Sequence, residues 1–290
     1  MGGLSDAGHF FCGYQPVLPV KIRRTLTHGP VQGYQFGYSP IRSIRPVPVW
    51  CYAVGGLLVD TAMRHSQREV LNTVADQPIE QIVLTHFHED HSGNAAALRW
   101  AHGCPVRAGA LTAERVAQPF QLLPYERFWF GTIDPCPGVE PLPPVVEAGP
   151  YRLRPIPTFG HSDDHHVFLE AKQGWLFAGD FYVGNLKVFR RGEDIYQMID
   201  STRHVLTYDF DVLFCGHNPV LTGGRAAVEC KLRYLETLVE RVQAAHRRGL
   251  RGQALVRAAG LREQWFLRLF TQDDVSTYHL VESILSDGVK

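Results

Sequence analysis

Short apolar segments that end in a histidine or an aspartate recur along this chain, and they limit its fold more than any other feature. Each segment is nearly continuous in apolar residues, which is typical of strands covered on both faces in a layered α/β protein. Strand ends in such proteins meet at one edge, where loops direct side chains into a common crevice. The pattern therefore predicts a polar site assembled from distant residues, namely Asp60, His86, His161, Asp180 and His217.

The densest group of such side chains lies in segment 85–91, THFHEDH, which has the pattern H-x-H-x-D-H. Chance occurrences of this pattern are rare even in a chain with 14 histidines. In an extended chain His86 and His88 point to the same side, so both imidazoles can reach one ion. Asp90 and His91 follow where the chain turns and can face a second ion. Imidazole and carboxylate ligands suit zinc and, less selectively, iron or manganese.

Three further polar residues, His161, Asp180 and His217, each follow a glycine. Glycine is expected where the backbone turns tightly or passes close to a site. Taken singly, each of these residues is more often structural than a ligand. Together with the H-x-H-x-D-H motif, they would complete the coordination of two metal ions.

This series of motifs resembles the metallo-β-lactamase superfamily from about residue 49 to residue 219. The resemblance implies a four-layer αββα sandwich, of α/β or α+β class, with the site at one edge between the two sheets. It also implies that Asp60 orients the site by accepting hydrogen bonds. The implied ligands are His86, His88 and His161 for one metal and Asp90, His91 and His217 for the other, with Asp180 bridging the two.

The rest of the chain is expected to add a helical appendage, residues 225–290, to a catalytic core, residues 1–224. Apolar residues recur in the appendage at three- and four-residue steps, which predicts an amphipathic helix ending near Gly249. Further helices are expected at 253–262 and 275–285. In the core we expect a helix over 94–102 capped by Ser92, a hairpin of 167–170 with 175–178, and an irregular connection at 135–150.

Composition argues against several classes of function. Lys+Arg and Asp+Glu both number 29, so the chain has no net charge and no sign of a basic nucleic-acid groove. No apolar run approaches the ~20 residues that span a bilayer. The first residues lack a basic start followed by an apolar core, so a cytoplasmic protein is expected. The six cysteines are scattered, which predicts buried thiols rather than a disulfide framework.

Two ions held in this way would share a hydroxide, because metal binding lowers the pKa of water to about 7. Asp90 is the best-placed residue to steer this nucleophile or accept its proton. Tyr182 and Lys187, shortly after Asp180, are candidates for substrate contact. The sequence thus predicts a zinc-dependent hydrolase with two Zn²⁺ per chain, with iron or manganese left open.

The resemblance also narrows the substrate. True β-lactamases of the superfamily generally lack a residue like Asp180, and the bacterial ones are exported, so antibiotic hydrolysis is not expected. Segment 160–165, GHSDDH, is similar to glyoxalase II-like hydrolases and quinolone-signalling thioesterases. This similarity implies a small acyl substrate, a thioester, lactone or other carboxylic ester. A phosphodiesterase or endoribonuclease-like hydrolase, a mononuclear-iron sulfur dioxygenase and a metal-binding sensor without activity stay open, as does a homodimer.

Overall fold

The computed structural model describes residues 19–119 and 121–286. Within these residues, seven strands form the first sheet in chain order. Short β-rich runs such as Val49–Val54, in which apolar and aromatic residues predominate, suit a sheet buried on both faces. The strands are β1 (Val20–His28), β2 (Val31–Ser39), β3 (Val49–Val54), β4 (Leu57–Val59), β5 (Gln81–Val83), β6 (Val106–Ala108) and β7 (Glu140–Pro141).

The strand pairing in the first sheet changes from antiparallel to parallel at β4. Strands β1 to β4 pair antiparallel, whereas β4 to β7 pair parallel. Parallel pairing requires crossover connections, and these carry helices. The helices are α1 (Gln67–Val74), which follows a 3₁₀ turn at Arg64–Ser66, α2 (Glu89–Ser92), α3 (Ala95–His102), α4 (Ala110–Val116) and α5 (Pro124–Phe130).

The second sheet has, in spatial order, the strands β13 (Val212–Cys215), β11 (Trp175–Gly179), β10 (His166–Glu170), β9 (Tyr151–Pro157) and β8 (Val146–Ala148). The predicted hairpin is confirmed, since β10 and β11 pair antiparallel with Leu169 opposite Leu176. The crossover from β11 to the parallel β13 carries α6 (Ile195–Val205). The short strand β12 (Phe189–Arg190) pairs outside this sheet.

Apolar side chains between the sheets make the central core. Phe168, Phe177 and Phe214 of the second sheet face Tyr52 and Val59 of the first, and all are nearly inaccessible to solvent. A separate cluster packs the other face of the first sheet against α1 and α3, and another covers the outer face of the second sheet. Helices, two sheets and helices therefore lie in succession, as the αββα prediction requires.

The C-terminal helices pack on α6 and β12. Leu235 and Val242 of the long helix α7 share a buried cluster with Ile195 and Ile199 of α6. The amphipathic helix ends at Arg247, close to the predicted end, and the later helices have slightly different bounds from those expected. The elements are α7 (Gly224–Arg247), α8 (Gly252–Ala258), α9 (Trp265–Phe270), β14 (Val275–Ser276), which pairs with β12, and α10 (Thr277–Ser286).

The prediction that Ser92 caps the helix over 94–102 is wrong. Ser92 ends the short helix α2, and its hydroxyl donates to the carbonyls of Phe87 (2.6 Å) and His88 (3.1 Å). Asn94 precedes α3 instead, and its side-chain amide donates to the carbonyls of Thr61, Ala62 and Met63. Because α2 forms an extra turn of helix before α3, the end of the H-x-H-x-D-H motif lies on a rigid element.

The segment 135–150 contains β7 and β8, which the sequence did not predict.

The cysteines that the structure describes are free thiols, and the prediction that they are buried is confirmed for all of these except Cys230. Four are buried and Cys230 is exposed, while Cys12 lies outside the described residues. In the part of the chain with described structure, no helix combines the length and the apolar character needed to cross a membrane.

Candidate metal centre

Three imidazole nitrogens converge at the edge between the sheets. His88 Nδ1 lies 3.0 Å from His86 Nε2 and 3.0 Å from His161 Nε2. A ring nitrogen has one in-plane position, which either donates or accepts, so His88 Nδ1 cannot make a good hydrogen bond to both neighbours. Lone pairs aimed at a common point are the arrangement that a cation requires. We define His86, His88 and His161 as the first ligand set.

A second group of side chains lies beside the first. His217 Nε2 is 3.3 Å from Asp90 Oδ2, and His91 Nε2 is 3.9 Å from the same oxygen. The three candidate ligand atoms all lie within 4.8 Å of one another. Asp90 and His91 lie on α2, which follows β5 of the first sheet, whereas His217 follows β13 of the second sheet. The packing of the two sheets therefore brings these residues together. We define Asp90, His91 and His217 as the second ligand set.

Asp180 lies between the two sets. Its Oδ1 is 3.1 Å from His91 Nε2 and 3.3 Å from His217 Nε2, and its Oδ2 is 3.4 Å from His161 Nε2. Each carboxylate oxygen therefore faces a different ligand set. These separations match the spacing of about 3.3 Å between neighbouring ligand atoms around a tetrahedral zinc with bonds of about 2.0–2.1 Å.

Two of these atoms are buried without a hydrogen-bond partner, namely His91 Nε2 and Asp180 Oδ1. Leaving a buried polar atom unpaired costs about 1–3 kcal/mol. Both atoms point toward the second set, where a divalent cation would satisfy them together. The residues present therefore fit the binding of a divalent metal ion.

In four of the five candidate histidine ligands, the ring nitrogen that faces away from the centre lies within hydrogen-bond distance of an oxygen atom. Because an N–H on the outer nitrogen leaves the inner nitrogen with a free lone pair, these contacts fix the tautomer and the ring orientation. The pairs are His86 Nδ1 with Thr85 Oγ1 (3.0 Å), His91 Nδ1 with Asp60 Oδ2 (2.7 Å), His161 Nδ1 with Glu193 Oε1 (2.6 Å) and His217 Nδ1 with the Pro48 carbonyl (2.8 Å).

Asp60, directly after β4, supports this arrangement. Besides His91, its carboxylate accepts from the backbone N–H of Thr85 (2.8 Å) and from the Thr85 hydroxyl (2.9 Å). The residue is buried and has a left-handed φ of +61°. A non-glycine residue adopts such a φ where its surroundings impose it, often at functional sites.

Glycines permit the close approach of the strand ends, as the sequence suggested. A Cβ on Gly216 would lie 2.6 Å from His91 Cε1, and one on Gly179 would lie 2.7 Å from Thr85 Oγ1. Either contact is too short for a side chain. These two positions need glycine because the ligand-bearing loops touch there.

Comparison with known proteins places the chain in a family. The sequence profile of the metallo-beta-lactamase superfamily matches residues 44–217, more than half of the chain. The chain belongs to the metallo-beta-lactamase superfamily. Among curated relatives, it is 29% identical over 190 residues to a hydroxyacylglutathione hydrolase from Rhodospirillum rubrum, covering 63% of this chain and 61% of that protein. It is 26% identical over 238 residues to a thioesterase from Emericella nidulans, covering 76% of this chain and 62% of that protein.

The chain thus spans less than two thirds of the length of these curated relatives. Among solved structures, a metallo-beta-lactamase family protein from Thermus thermophilus has a TM-score of 0.59 at 19% identity. The match covers 93% of this chain and 94% of that one. At that level of identity, the likeness shows that the two proteins share the metallo-beta-lactamase fold.

Segment 160–166 of this superfamily member does more than the sequence indicated. His165 is buried, and its Nε2 accepts a hydrogen bond from the backbone N–H of Asp180 (3.1 Å), while Asp164 accepts from the backbone N–H of Phe87 (2.9 Å). Both residues therefore fix the backbone beside candidate ligands. The repeated Asp and His residues after His161 were the signal, but their partners are distant in sequence.

Glu193 and Arg190 were not predicted. Glu193 holds His161, as described above. Arg190 lies among carboxylates: its Nη1 is 3.4 Å from Glu89 Oε2, its Nε is 3.2 Å from Asp274 Oδ2, and its Nη2 also contacts Glu126. Burial raises the pKa of Glu89 to about 7 against the opposing effect of Arg190. The group links α2 to α5 and to the C-terminal segment.

Burial and the neighbouring charged groups together decide the charge of the histidines. It lowers the pKa of His86 and of His88 well below the usual value, with neighbouring imidazoles acting in the same direction. Both rings are therefore neutral near pH 7, as a metal ligand must be. Burial acts against charge on His217 too, but the Asp180 and Asp90 carboxylates outweigh it and raise its pKa. A cation entering the second set would displace that proton.

The two predicted substrate contacts lie in different surroundings. Tyr182 packs partly buried against the cluster on the outer face of the second sheet. Lys187 is exposed and lines a cavity of about 620 Å³ with Tyr234, Trp265 and Phe266. Their contact with a substrate stays a prediction.

We expect Asp60→Asn to weaken metal binding about 10- to 100-fold, the usual effect of removing a partner of a ligand. The amide retains one acceptor oxygen, but its N–H₂ group only donates and cannot accept a hydrogen bond from His91 or from Thr85. Zinc affinity measured with a competing chelator tests this, with Asp163→Asn, an exposed carboxylate paired with Arg115, as the control. Equal affinities for the two variants and the wild type would contradict the orienting role of Asp60.

Proposed function

We propose that this protein is a dinuclear metal-dependent hydrolase that cleaves a small acyl compound, with a thioester preferred over a lactone or other carboxylic ester. The observation that carries the proposal is the position of Asp180, whose two carboxylate oxygens face different ligand sets at 3.1–3.4 Å. In this proposal each ligand set would hold one ion, and Asp180 would contribute a carboxylate oxygen to each.

Zinc is the proposed metal, since imidazole and carboxylate ligands at this spacing suit it, although iron and manganese accept the same donors. When bound, two such ions would lower the pKa of water to about 7 and polarise the bond under attack. The presence of a complete second set favours this arrangement over a mononuclear iron site.

Asp90 has the proposed catalytic role. Its Oδ2 faces His217 Nε2 at 3.3 Å, which leaves Oδ1 to hold the attacking water and receive its proton. Asp60 holds His91 through the 2.7 Å contact and Glu193 holds His161 through the 2.6 Å contact. These outer residues keep the reacting groups aligned, which is a large part of catalysis at such sites.

The proposed acyl substrate rests on two observations and one chemical argument. A hydroxyacylglutathione hydrolase and a thioesterase are among the relatives. The chain has 29 basic and 29 acidic residues, so it lacks the charge excess that binds nucleic acid. A thiolate is also a good leaving group, so its departure needs no strong general acid.

The test is kcat/KM for a panel of acyl thioesters, lactones and esters against a model phosphodiester and an RNA oligonucleotide. We expect a thioester to exceed every phosphodiester by about a hundredfold or more, which corresponds to about 2.7 kcal/mol of transition-state stabilisation. Each assay is run at low and at physiological salt, because nuclease binding weakens steeply with salt. Efficient cleavage of RNA without turnover of any acyl compound would replace the proposal by a phosphodiesterase.

A further inference from the structure

The segment that follows Asp180, residues 181–187, is held by side chains of the C-terminal helices. We call this segment the Asp180 loop. It has no regular secondary structure, so its backbone carbonyls need other donors. These donors are Lys231 Nζ to the carbonyls of Phe181 and Tyr182 (3.0 Å to the latter), Tyr234 Oη to Leu186 (2.5 Å) and Thr277 Oγ1 to Lys187 (3.0 Å).

Lys231 is the unusual member of this group. It lies on α7, is only 3% exposed, and its ammonium is held by carbonyl oxygens rather than by a carboxylate. It also lies 5.6 Å from the centre of the Phe181 ring. Burial lowers its pKa to about 8. A buried ammonium is unfavourable unless its donors are satisfied. An apolar residue would suit the helix packing better, so the position points to a requirement for the donors.

The backbone that Lys231 holds is strained. Val183, next to the two carbonyls, has a left-handed φ of +48°, which a β-branched residue rarely adopts. Its N–H donates to Cys215 Sγ at 3.4 Å. Such a conformation persists where the surroundings fix it from several sides. Without the ammonium, the Phe181 carbonyl would lose its donor, and the Tyr182 carbonyl would keep only the backbone N–H of Gly184 (2.5 Å).

Asp180 therefore lies between two fixed points. On its upstream side, its own N–H donates to His165 Nε2 at 3.1 Å. On its downstream side, the next two carbonyls are held by Lys231. Both oxygens of the Asp180 carboxylate must face their ligand sets at once. A small shift of the backbone would therefore weaken metal binding by at least one set.

We propose that Lys231 is a positioning residue that sets the Asp180 carboxylate between the two ligand sets through the backbone of the Asp180 loop. The inference rests on the proposed dinuclear site. It gives the C-terminal helices a role in metal binding although they contribute no ligand.

The experiment is a titration of metal-free protein with zinc alone, against a chromophoric chelator, together with thermal unfolding. Lys231→Met keeps the length of the side chain and removes the donors. We expect the zinc ion that binds second in the titration to bind at least about tenfold more weakly, the usual effect of removing a residue that orients a ligand. The unfolding midpoint of the metal-free protein should not fall. Tyr234→Phe, which removes one hydroxyl from the same loop, should weaken the second zinc by a smaller factor.

Lys172→Met is the matched control, because Lys172 is exposed in the turn between β10 and β11. It should bind both ions as the wild type does. Wild-type zinc affinity in Lys231→Met would overturn the inference, as would wild-type affinity in Tyr234→Phe if Lys231→Met does not fold. A wild type that binds two zinc ions but cleaves no acyl compound would defeat the proposed substrate alone, since the titration does not depend on turnover.

Discussion

Asp180→Asn is expected to reduce bound zinc from two ions per chain to at most one and to lower kcat/KM roughly a thousandfold, since both metal charge and substrate alignment would be lost. The two oxygens of Asp180 face different ligand sets at 3.1–3.4 Å. In asparagine one of those atoms becomes an amide nitrogen without a free lone pair. The bridge then has a ligand on one side only, and its negative charge is gone.

Elemental analysis after removal of loosely bound metal, together with turnover of the best acyl substrate, measures both effects. Asp76→Asn makes the same chemical change at an exposed position after α1 and should retain two ions and full activity. An Asp180→Asn protein with two zinc ions and wild-type turnover would show that Asp180 is not the bridge. A wild type that holds a single iron and no zinc would instead favour the mononuclear-iron alternative.

Removal of residues 225–290 is expected to give an insoluble protein or one without activity, even though every candidate metal ligand remains. The truncation would expose Phe189, Ile195, Met198 and Ile199, all of which are buried against the C-terminal helices. It would also remove Lys231 from the Asp180 loop. We therefore propose that residues 225–290 form an appendage that folds with the core.

A milder change in the full chain measures how much the packing of α7 stabilises the fold. Leu235→Ala, at a fully buried position of α7, should lower the free energy of unfolding by about 2–5 kcal/mol, the usual cost of such a cavity. Thermal or urea unfolding measures this loss, and Thr237→Ala, exposed on the same helix, is the control.

For the truncation, a soluble chain with both zinc ions and an unchanged substrate preference would show that the appendage has no part in function.

The architecture could be predicted because its signals are local. Apolar runs ending in polar residues, such as the one from Leu57 to Asp60, mark strands whose ends meet at one edge. The hairpin of β10 and β11 and the long helix α7 follow from period-two and three-to-four-residue patterns in contiguous sequence. The cap predicted at Ser92 is wrong because caps depend on where a helix begins, and α2 adds a turn that the pattern did not show.

The supporting contacts of the site could not be predicted because they join residues far apart in the chain. Glu193 meets His161, His165 meets the backbone of Asp180, and Lys231 meets two carbonyls some fifty residues upstream. No spacing rule links such pairs, since the partners come together only when the sheets and helices pack. The sequence shows that these residues are polar, but their partners depend on tertiary contacts.

The sequence alone determines which donor atoms the candidate metal centre can offer. The available donor atoms are those of the H-x-H-x-D-H motif and of His161, Asp180 and His217, each of which follows a glycine. The sequence specifies them because it gives the type of every side chain. How those atoms are shared depends on the tertiary structure. The two sheets meet so that each oxygen of Asp180 faces a different ligand set. Distances of a few ångströms between strand ends depend on packing across the whole sandwich, which no local pattern encodes.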